Sequence, residues 1–151
     1  MTNVTIGNKG MKVQKNGFGA LPIQRITDEE AVRLLQKAYH AGIDYYDTAR
    51  GYSDSEKKLG MAFSDVREKI YIATKTTARN AEEMKKDLAA SLHELQTDYI
   101  DLYQFHNPDF CPKPGDGTGL YEAALEAKRS GKIRHIGITN HRLNIAGEAI
   151  K

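Results

Sequence analysis

The sequence contains one cysteine, Cys111, and no tryptophan among its 151 residues. A single cysteine excludes an intrachain disulfide and any Cys-x-x-Cys metal or redox site. No stretch reaches the ~18 consecutive apolar residues of a membrane span, and the N-terminus lacks the basic segment and apolar run of a signal peptide. These absences predict a soluble, cytoplasmic protein whose function depends on residues other than cysteine.

Charge of either sign is spread along the chain rather than concentrated. The 22 lysines and arginines against 20 acidic residues leave a net charge of +2. There is no basic run and no alternation of basic with aromatic residues, so nucleic acid is not an expected partner. A composition of 40% hydrophobic and 28% charged residues is typical of a globular protein. At this length we expect one domain, residues 1–151.

Short β-rich runs alternate with helical patterns along most of the chain. We predict a β-hairpin at 2–14, strands at 17–21, 43–47, 70–75, 100–106 and 133–139, and helices at 28–41, 55–63, 80–95, 120–130 and 143–151. Thr27 with Glu30, and Asn80 with Glu83, match the capping-box pattern of a helix start. Such alternation predicts parallel strands joined by right-handed helical crossovers.

Two architectures fit this alternation, an open doubly wound sheet and a (βα)8 barrel. The dinucleotide fingerprint Gly-x-Gly-x-x-Gly is absent, because Gly17 and Gly19 are followed by Pro22 where the third glycine belongs. A complete barrel needs about 250 residues. We therefore expect an α/β fold that is a partial (βα)8 barrel of about five parallel strands. The segment 107–119, which holds three of the four prolines, predicts a long surface loop.

Three ionisable residues fall at the carboxyl ends of consecutive predicted strands: Asp47, Lys75 and His106. Tyr52 lies in the loop after the first of them. Catalytic groups of barrel enzymes gather at this rim, because the strands fix their positions while the loops vary. We therefore expect the four side chains to meet, with the Tyr52 hydroxyl within hydrogen-bond reach of Lys75 or His106. No metal site is expected, because no metal-ligand spacing is matched by His40, His93, His135 and His141.

Several of these residues lie in motifs through which the chain resembles the aldo-keto reductase family. The motifs are Asp47-Thr48-Ala49 followed by Tyr52, then Ser55-Glu56, Leu59-Gly60, Thr74-Lys75 and Leu102-Tyr103-Gln104-Phe105-His106, with the segments 95–102 and 131–140. The family folds as a (βα)8 barrel, so the resemblance extends over only the N-terminal half or so of a member. The sequence departs from the family at Ser53, where glycine is common.

The resemblance implies a reduction of aldehyde or ketone carbonyls with hydride from NADPH. Tyr52 would donate a proton to the carbonyl oxygen, and the Lys75 ammonium would favour release of that proton. Asp47 would pair with Lys75 and fix its position, while His106 would orient the carbonyl substrate. By the same resemblance, the nicotinamide end of the cofactor would lie against Gly19, Ala20, Leu21, Asp47, Thr139 and Asn140.

The absent second half leaves other interpretations open. In this family the loops after the last two strands hold most of the cofactor's adenosine phosphate, so weak NADPH binding is expected. One alternative is an inactive half-barrel that serves as a binding or assembly module. Another is an aldolase-like barrel in which Lys75 forms a Schiff base with a carbonyl. In every case we expect association with a second copy or with the missing half, because a partial barrel has open strand edges.

Overall fold

The structure is a computed structural model that describes residues 2–7 and 10–150. Its strands are β1 (Asn3–Ile6), β2 (Met11–Gln14), β3 (Phe18–Gly19), β4 (Tyr45–Asp47), β5 (Tyr71–Thr76), β6 (Ile100–His106) and β7 (Ile133–Thr139). Its α-helices are α1 (Asp28–His40), α2 (Ser55–Phe63), α3 (Ala81–Glu94), α4 (Leu120–Arg129) and α5 (Leu143–Ala149). Short 3-10 segments cover Leu21–Arg25 and Ser64–Lys69.

Five strands form one parallel sheet in the order β3-β4-β5-β6-β7, which is also their order in the chain. The antiparallel hairpin β1-β2 precedes it. The predicted α/β fold with parallel strands and an N-terminal hairpin is confirmed, and its five strands correspond to the first part of a (βα)8 barrel. No helix among the described residues is long and apolar enough to cross a membrane.

Local sequence signals explain most of the element boundaries. Thr27 and Glu30 form the predicted capping box at the start of α1. At the start of α3 the box is only half formed, because the Glu83 carboxylate accepts a hydrogen bond from the backbone of Arg79 instead of Asn80. Strand β3 is shorter than the strand predicted at 17–21, because the chain turns into a 3-10 segment at Leu21 with Pro22 in its first turn. The predicted end of the last helix, residue 151, lies outside the described residues.

The core lies between the helices and one face of the sheet. Tyr103 and Phe105 of β6 point into it and are buried. Because side chains alternate along a strand, Leu102, Gln104 and His106 point to the opposite face. That face, called the inner face below, corresponds to the barrel interior. Several of its side chains are only half-buried, namely Tyr45, Tyr71, Leu102 and His135.

Candidate active site

The parallel strands bring the predicted site residues to one rim of the sheet. Asp47 and His106 are the last residues of β4 and β6, and Lys75 is the last but one of β5. Thr139 ends β7 and is in register with His106. Since all these strands run in the same direction, their carboxyl ends share an edge. The predicted grouping of strand ends is therefore what the structure has.

Lys75 is the buried charge at the centre of this rim. Its side chain is 6% exposed, and its Nζ donates to Asp47 Oδ1 at 2.5 Å and to the backbone carbonyl of Thr48 at 2.7 Å. A buried ammonium is costly unless it is paired and hydrogen-bonded, and both conditions are met here. The Asp47–Lys75 pair expected from the sequence is thus formed.

Tyr52 lies over this pair. Its ring centroid is 5.2 Å from Lys75 Nζ and 5.7 Å from the centroid of the His106 ring, which it meets edge-on at 82°. Within the described residues the Tyr52 hydroxyl forms no hydrogen bond with Lys75 or His106, so that expected contact is absent. Asp47 and Thr48 already take two of the ammonium donors, and Lys75 faces the tyrosine ring instead.

His106 is half-buried, and its environment favours the neutral imidazole. Burial lowers the pKa of His106 below its ordinary value, and the neighbouring Lys75 ammonium lowers it further. Its Nδ1 is buried and has no hydrogen-bond partner among the described residues. A neutral imidazole retains one N–H donor and one acceptor nitrogen, which suits it to orient a carbonyl oxygen.

The loop that carries Tyr52 is closed by hydrogen bonds at its base. Thr48 Oγ1 donates to Ser55 Oγ at 2.8 Å, and Ser55 Oγ donates to the carbonyl of Ala20 at 2.9 Å. Ser53 has a left-handed backbone with φ of 40°, a conformation that favours glycine. Its hydroxyl donates to Gln24 at 3.1 Å. These contacts fix the path of the loop over the rim.

A buried carboxylate behind the rim was not singled out as a site residue by the sequence reasoning. Glu56, in the first turn of α2, is 1% exposed. It accepts a hydrogen bond from Thr74 Oγ1 at 2.6 Å and forms an ion pair with Arg50. Burial raises the pKa of Glu56, and its hydrogen bond and Arg50 oppose that rise. The only sequence signal was its place in the Ser55-Glu56 motif, which gave it no role.

The residues expected at the nicotinamide differ in their exposure and in their hydrogen bonds. Gly19 and Leu21 are exposed at the end of β3, whereas the side chain of Ala20 is fully buried. Thr139 Oγ1 is buried without a partner. Asn140 donates from Nδ2 to the carbonyl of Pro108 at 2.6 Å and accepts from the Arg142 backbone at 2.8 Å.

A cleft of about 340 Å³ opens beside His106. Its walls come mainly from the loops after β5 and β6. The residues that line it include Thr76, Arg79, Phe105, His106, Asn107 and Leu120. Arg79 pairs with Asp109 across the mouth at 2.6 Å. Across the described ranges, no three His, Cys, Asp or Glu residues are grouped so as to hold a metal ion. The cleft therefore suits a small organic molecule placed next to His106.

The fold and this rim define half of a (βα)8 barrel, with its polar groups at the carboxyl ends of the strands, where barrel enzymes have their active sites. Many enzyme families share this barrel, and a match of the sequence to a family model distinguishes between them. The model of the aldo/keto reductase family matches residues 14–150, and the chain belongs to that family.

Individual relatives support the same placement. The chain is 32% identical to L-galactose dehydrogenase of Arabidopsis thaliana over 93% of its own length and 49% of that protein. It is 35% identical to methylglyoxal reductase DkgB of Salmonella typhi, with 93% and 52% covered. The chain thus spans about half the length of the curated relatives it matches.

Solved structures give the same picture in three dimensions. The holo form of aldo-keto reductase AKR11C1 from Bacillus halodurans superimposes with a TM-score of 0.86 at 31% identity, covering 98% of this chain and 53% of that one. The thermostable aldo-keto reductase Tm1743, in complex with the inhibitor epalrestat, gives 0.85 at 31% identity, with 99% and 58% covered. The fold is therefore that of about half an aldo-keto reductase barrel.

Proposed function

We propose that this chain reduces aldehyde or ketone carbonyls with hydride from NADPH, with Tyr52 as proton donor. The observation that supports this most is the arrangement around Lys75, whose ammonium is held by Asp47 and Thr48 beside the Tyr52 ring. An immobile cation next to a phenol stabilises the negative charge that develops as the proton leaves. Family membership supports the same reaction.

Each rim residue then has a distinct task. Tyr52 passes its hydroxyl proton to the carbonyl oxygen, and Lys75 stabilises the phenolate that remains. Asp47 keeps the ammonium in place. His106, as a neutral imidazole, donates one N–H to the same carbonyl oxygen and orients the substrate in the adjoining cleft.

The residues at the end of β3 and β7 fit the nicotinamide end of the cofactor, which supplies the hydride when bound. Among the described residues the buried Thr139 hydroxyl has no hydrogen-bond partner, and only the chain neighbours of Gly19 lie within 4 Å of the position a Cβ would take there. Asn140 retains one amide N–H and one oxygen lone pair for a carboxamide. Leu21 and Asp47 complete the proposed set. Ala20 is fully buried, and its N–H and carbonyl are bonded to the Asp47 carbonyl and to Ser55, so it would support the cofactor site from behind.

The substrates we propose are small carbonyl compounds, in keeping with the cleft of about 340 Å³ next to His106. Two relatives are a methylglyoxal reductase and an L-galactose dehydrogenase, which act on a small carbonyl and a sugar respectively by their names. A cytoplasmic location remains the prediction made from the sequence.

The two alternatives differ in how the structure bears on them. A Schiff base at Lys75 requires an amine nitrogen that is free to attack the carbonyl, whereas Lys75 Nζ is held by Asp47 and by the Thr48 carbonyl. An inactive half-barrel that acts as an assembly module is favoured by the coverage of only about half of the relatives. Whether the chain is an active reductase or an inactive half-barrel, we propose that its inner face and the free edges of β3 and β7 bind a second copy or the missing half.

Turnover by the purified chain tests the reductase proposal. NADPH loss is followed by its absorbance with methylglyoxal as the trial aldehyde, for the wild type, Tyr52→Phe and the control Tyr121→Phe in α4. We expect the control to match the wild type and Tyr52→Phe to fall by about 100-fold or more. Equal activity in Tyr52→Phe contradicts the role of Tyr52, and no turnover in the wild type favours the inactive half-barrel.

A fluorescence titration with NADPH accompanies the assay. Because the residues proposed for the cofactor contact only its nicotinamide end, we expect a dissociation constant well above about 1 μM, which corresponds to about 8 kcal/mol of binding. Tighter binding contradicts the view that the absent loops supply most of the affinity.

A further inference from the structure

Glu56 joins three parts of the chain behind the proposed site. It belongs to α2, its Oε1 accepts from Thr74 Oγ1 of β5 at 2.6 Å, and its Oε2 is paired with the guanidinium of Arg50 in the loop before Tyr52. The Glu56 side chain is 2% exposed, while that of Arg50 is 26% exposed. The carboxylate is therefore enclosed, and its one cationic partner comes from the loop.

The two partners of Glu56 are close in sequence to Tyr52 and Lys75, the two residues that the proposed reaction brings together. Arg50 precedes Tyr52 by two residues, and Thr74 directly precedes Lys75. The backbone N–H of Arg50 also donates to the carbonyl of Lys75 at 2.9 Å. The loop is thus fastened to β5 by this bond, by the Thr48 N–H on the Ala73 carbonyl, by Lys75 Nζ on the Thr48 carbonyl, and through the Glu56 carboxylate.

We propose that Glu56 is a positioning residue, which holds the Tyr52 loop against β5 and thereby sets the placement of Tyr52 over Lys75. The inference rests on the proposed role of Tyr52 in carbonyl reduction. Glu56 itself touches neither substrate nor cofactor. It acts through Arg50 and Thr74.

A carboxylate is suited to this position because its two oxygens bind different partners, Thr74 and Arg50. A charged acceptor makes stronger hydrogen bonds than a neutral one and pairs with a guanidinium as well. Burial works against the charge and raises the pKa of Glu56, whereas the hydrogen bond from Thr74 and the Arg50 guanidinium stabilise the carboxylate and oppose that rise. Glu56→Gln keeps an oxygen for Thr74 but leaves Arg50 without its anionic partner. The Arg50 part of the loop is then held by its backbone bond to the Lys75 carbonyl, without the ion pair.

Hydrogen exchange of the full chain measures this fastening without any need for turnover. The informative amides are those of Tyr52, bonded to the Ala49 carbonyl, and of Ser55, bonded to the Tyr52 carbonyl. For Glu56→Gln we expect exchange at both to rise about tenfold, with the amides of β6 unchanged. The matched control is Glu126→Gln, an exposed residue of α4 whose partner Lys85 is also exposed, and it leaves the loop amides unchanged.

Two outcomes overturn the proposal: loop amides that exchange as in the wild type, or a uniform rise across loop and sheet, which indicates general destabilisation. If Glu56→Gln does not fold, Arg50→Gln breaks the same ion pair from its more exposed end and is judged by the same amides. Arg50→Lys, which keeps the positive charge, is expected to restore part of the protection.

Activity gives a second readout where the wild type turns over. Displacing Tyr52 impairs the proton transfer, so kcat of Glu56→Gln is expected to fall about tenfold while KM stays close to the wild-type value. A change in KM alone contradicts the positioning role. A wild-type chain with no turnover contradicts the proposed function but leaves the exchange result to decide whether Glu56 fastens the loop.

Discussion

Lys75 and Asp47 form an ion pair whose two members are unequally buried, and this inequality predicts unequal effects of mutation. The side chain of Lys75 is 6% exposed and that of Asp47 is 35% exposed. Asp47→Asn keeps an oxygen that can accept from Lys75 Nζ but removes the negative charge opposite the buried ammonium, so we expect the free energy of unfolding to fall by about 1–3 kcal/mol. Urea denaturation measures this change.

The reverse variant is the comparison. Lys75→Met removes the buried charge and leaves Asp47, which water can reach, so its loss of stability is expected to be smaller than that of Asp47→Asn. Both variants are expected to lose reductase activity, since Lys75→Met removes the cation beside Tyr52 and Asp47→Asn removes the carboxylate that fixes it. A larger stability loss in Lys75→Met would contradict the order expected from the unequal burial of the two side chains.

His106 predicts a pH dependence of stability. Its pKa is lowered in the folded chain, chiefly by burial and then by Lys75. The unfolded chain therefore takes up a proton on His106 at higher pH than the folded one. The stability associated with its neutral form is present above about pH 6.5 and is lost as the pH falls toward the folded pKa.

Urea midpoints between about pH 7 and pH 5 check this sign. We expect a shallower loss of stability in His106→Gln than in the wild type over that interval. His93→Gln, whose side chain is 87% exposed in the wild type, serves as the control. Identical profiles for His106→Gln and the wild type would refute the assignment.

Individual residues differed in how far the sequence could predict them. Asp47, Lys75 and His106 were found because strand ends are readable from the pattern and parallel strands share a rim. Asp101 was missed, although it is 1% exposed and accepts from Arg67 at 2.7 Å and Arg134 at 3.0 Å. Its partners lie 34 and 33 residues away, and no local pattern predicts such a pairing.

The helices α2 and α3 meet at Gly60, which explains the Leu59-Gly60 motif. A Cβ at Gly60 would come within 2.2 Å of the Glu94 carbonyl oxygen and 2.9 Å of the Leu95 carbonyl carbon, both backbone atoms at the end of α3. Gly60→Ala must therefore push the two helices apart. We expect a loss of about 3 kcal/mol in the free energy of unfolding, measured by urea denaturation.

Gly147→Ala in α5 is the matched control. Apart from its chain neighbours and the backbone of its own helix, no described atom lies within 4 Å of the position its Cβ would take. Helix propensity therefore decides the outcome, and we expect a gain of about 0.5–1 kcal/mol. A neutral Gly60→Ala would show that the α2–α3 contact adjusts without cost, which contradicts the packing inferred here.

The accuracy of the predicted elements followed the strength of the local pattern. The strands at 100–106 and 133–139 were predicted with their observed bounds, because their apolar residues are bounded by clear turns. The strand predicted at 43–47 begins only at Tyr45. The Ile43 N–H bonds to the Ala38 carbonyl at the end of α1, and Asp44 accepts from the backbone of Gln14. Ile43 therefore completes the end of α1 and Asp44 binds the hairpin, so neither extends the strand. Sequence periodicity does not predict these two contacts.

At the scale of the whole molecule, the described sheet is open on both sides. Its edges are β3 and β7, and β7 presents a free edge seven residues long. The inner face has half-buried side chains where a closed barrel has its packed interior. Covering on the order of 400 Å² of apolar surface stabilises by about 10 kcal/mol, comparable with the stability of a whole domain. We therefore propose that the chain associates with a second copy or with the missing half.

The mass of the purified chain in solution, measured by light scattering at low micromolar concentration, tests most directly whether this half-barrel requires a partner. We predict a dimer or a larger species, because a second copy covers the inner face and pairs the free strand edges. A compact monomer that melts cooperatively at the same concentration would contradict the prediction and would show that five strands of the barrel are sufficient alone.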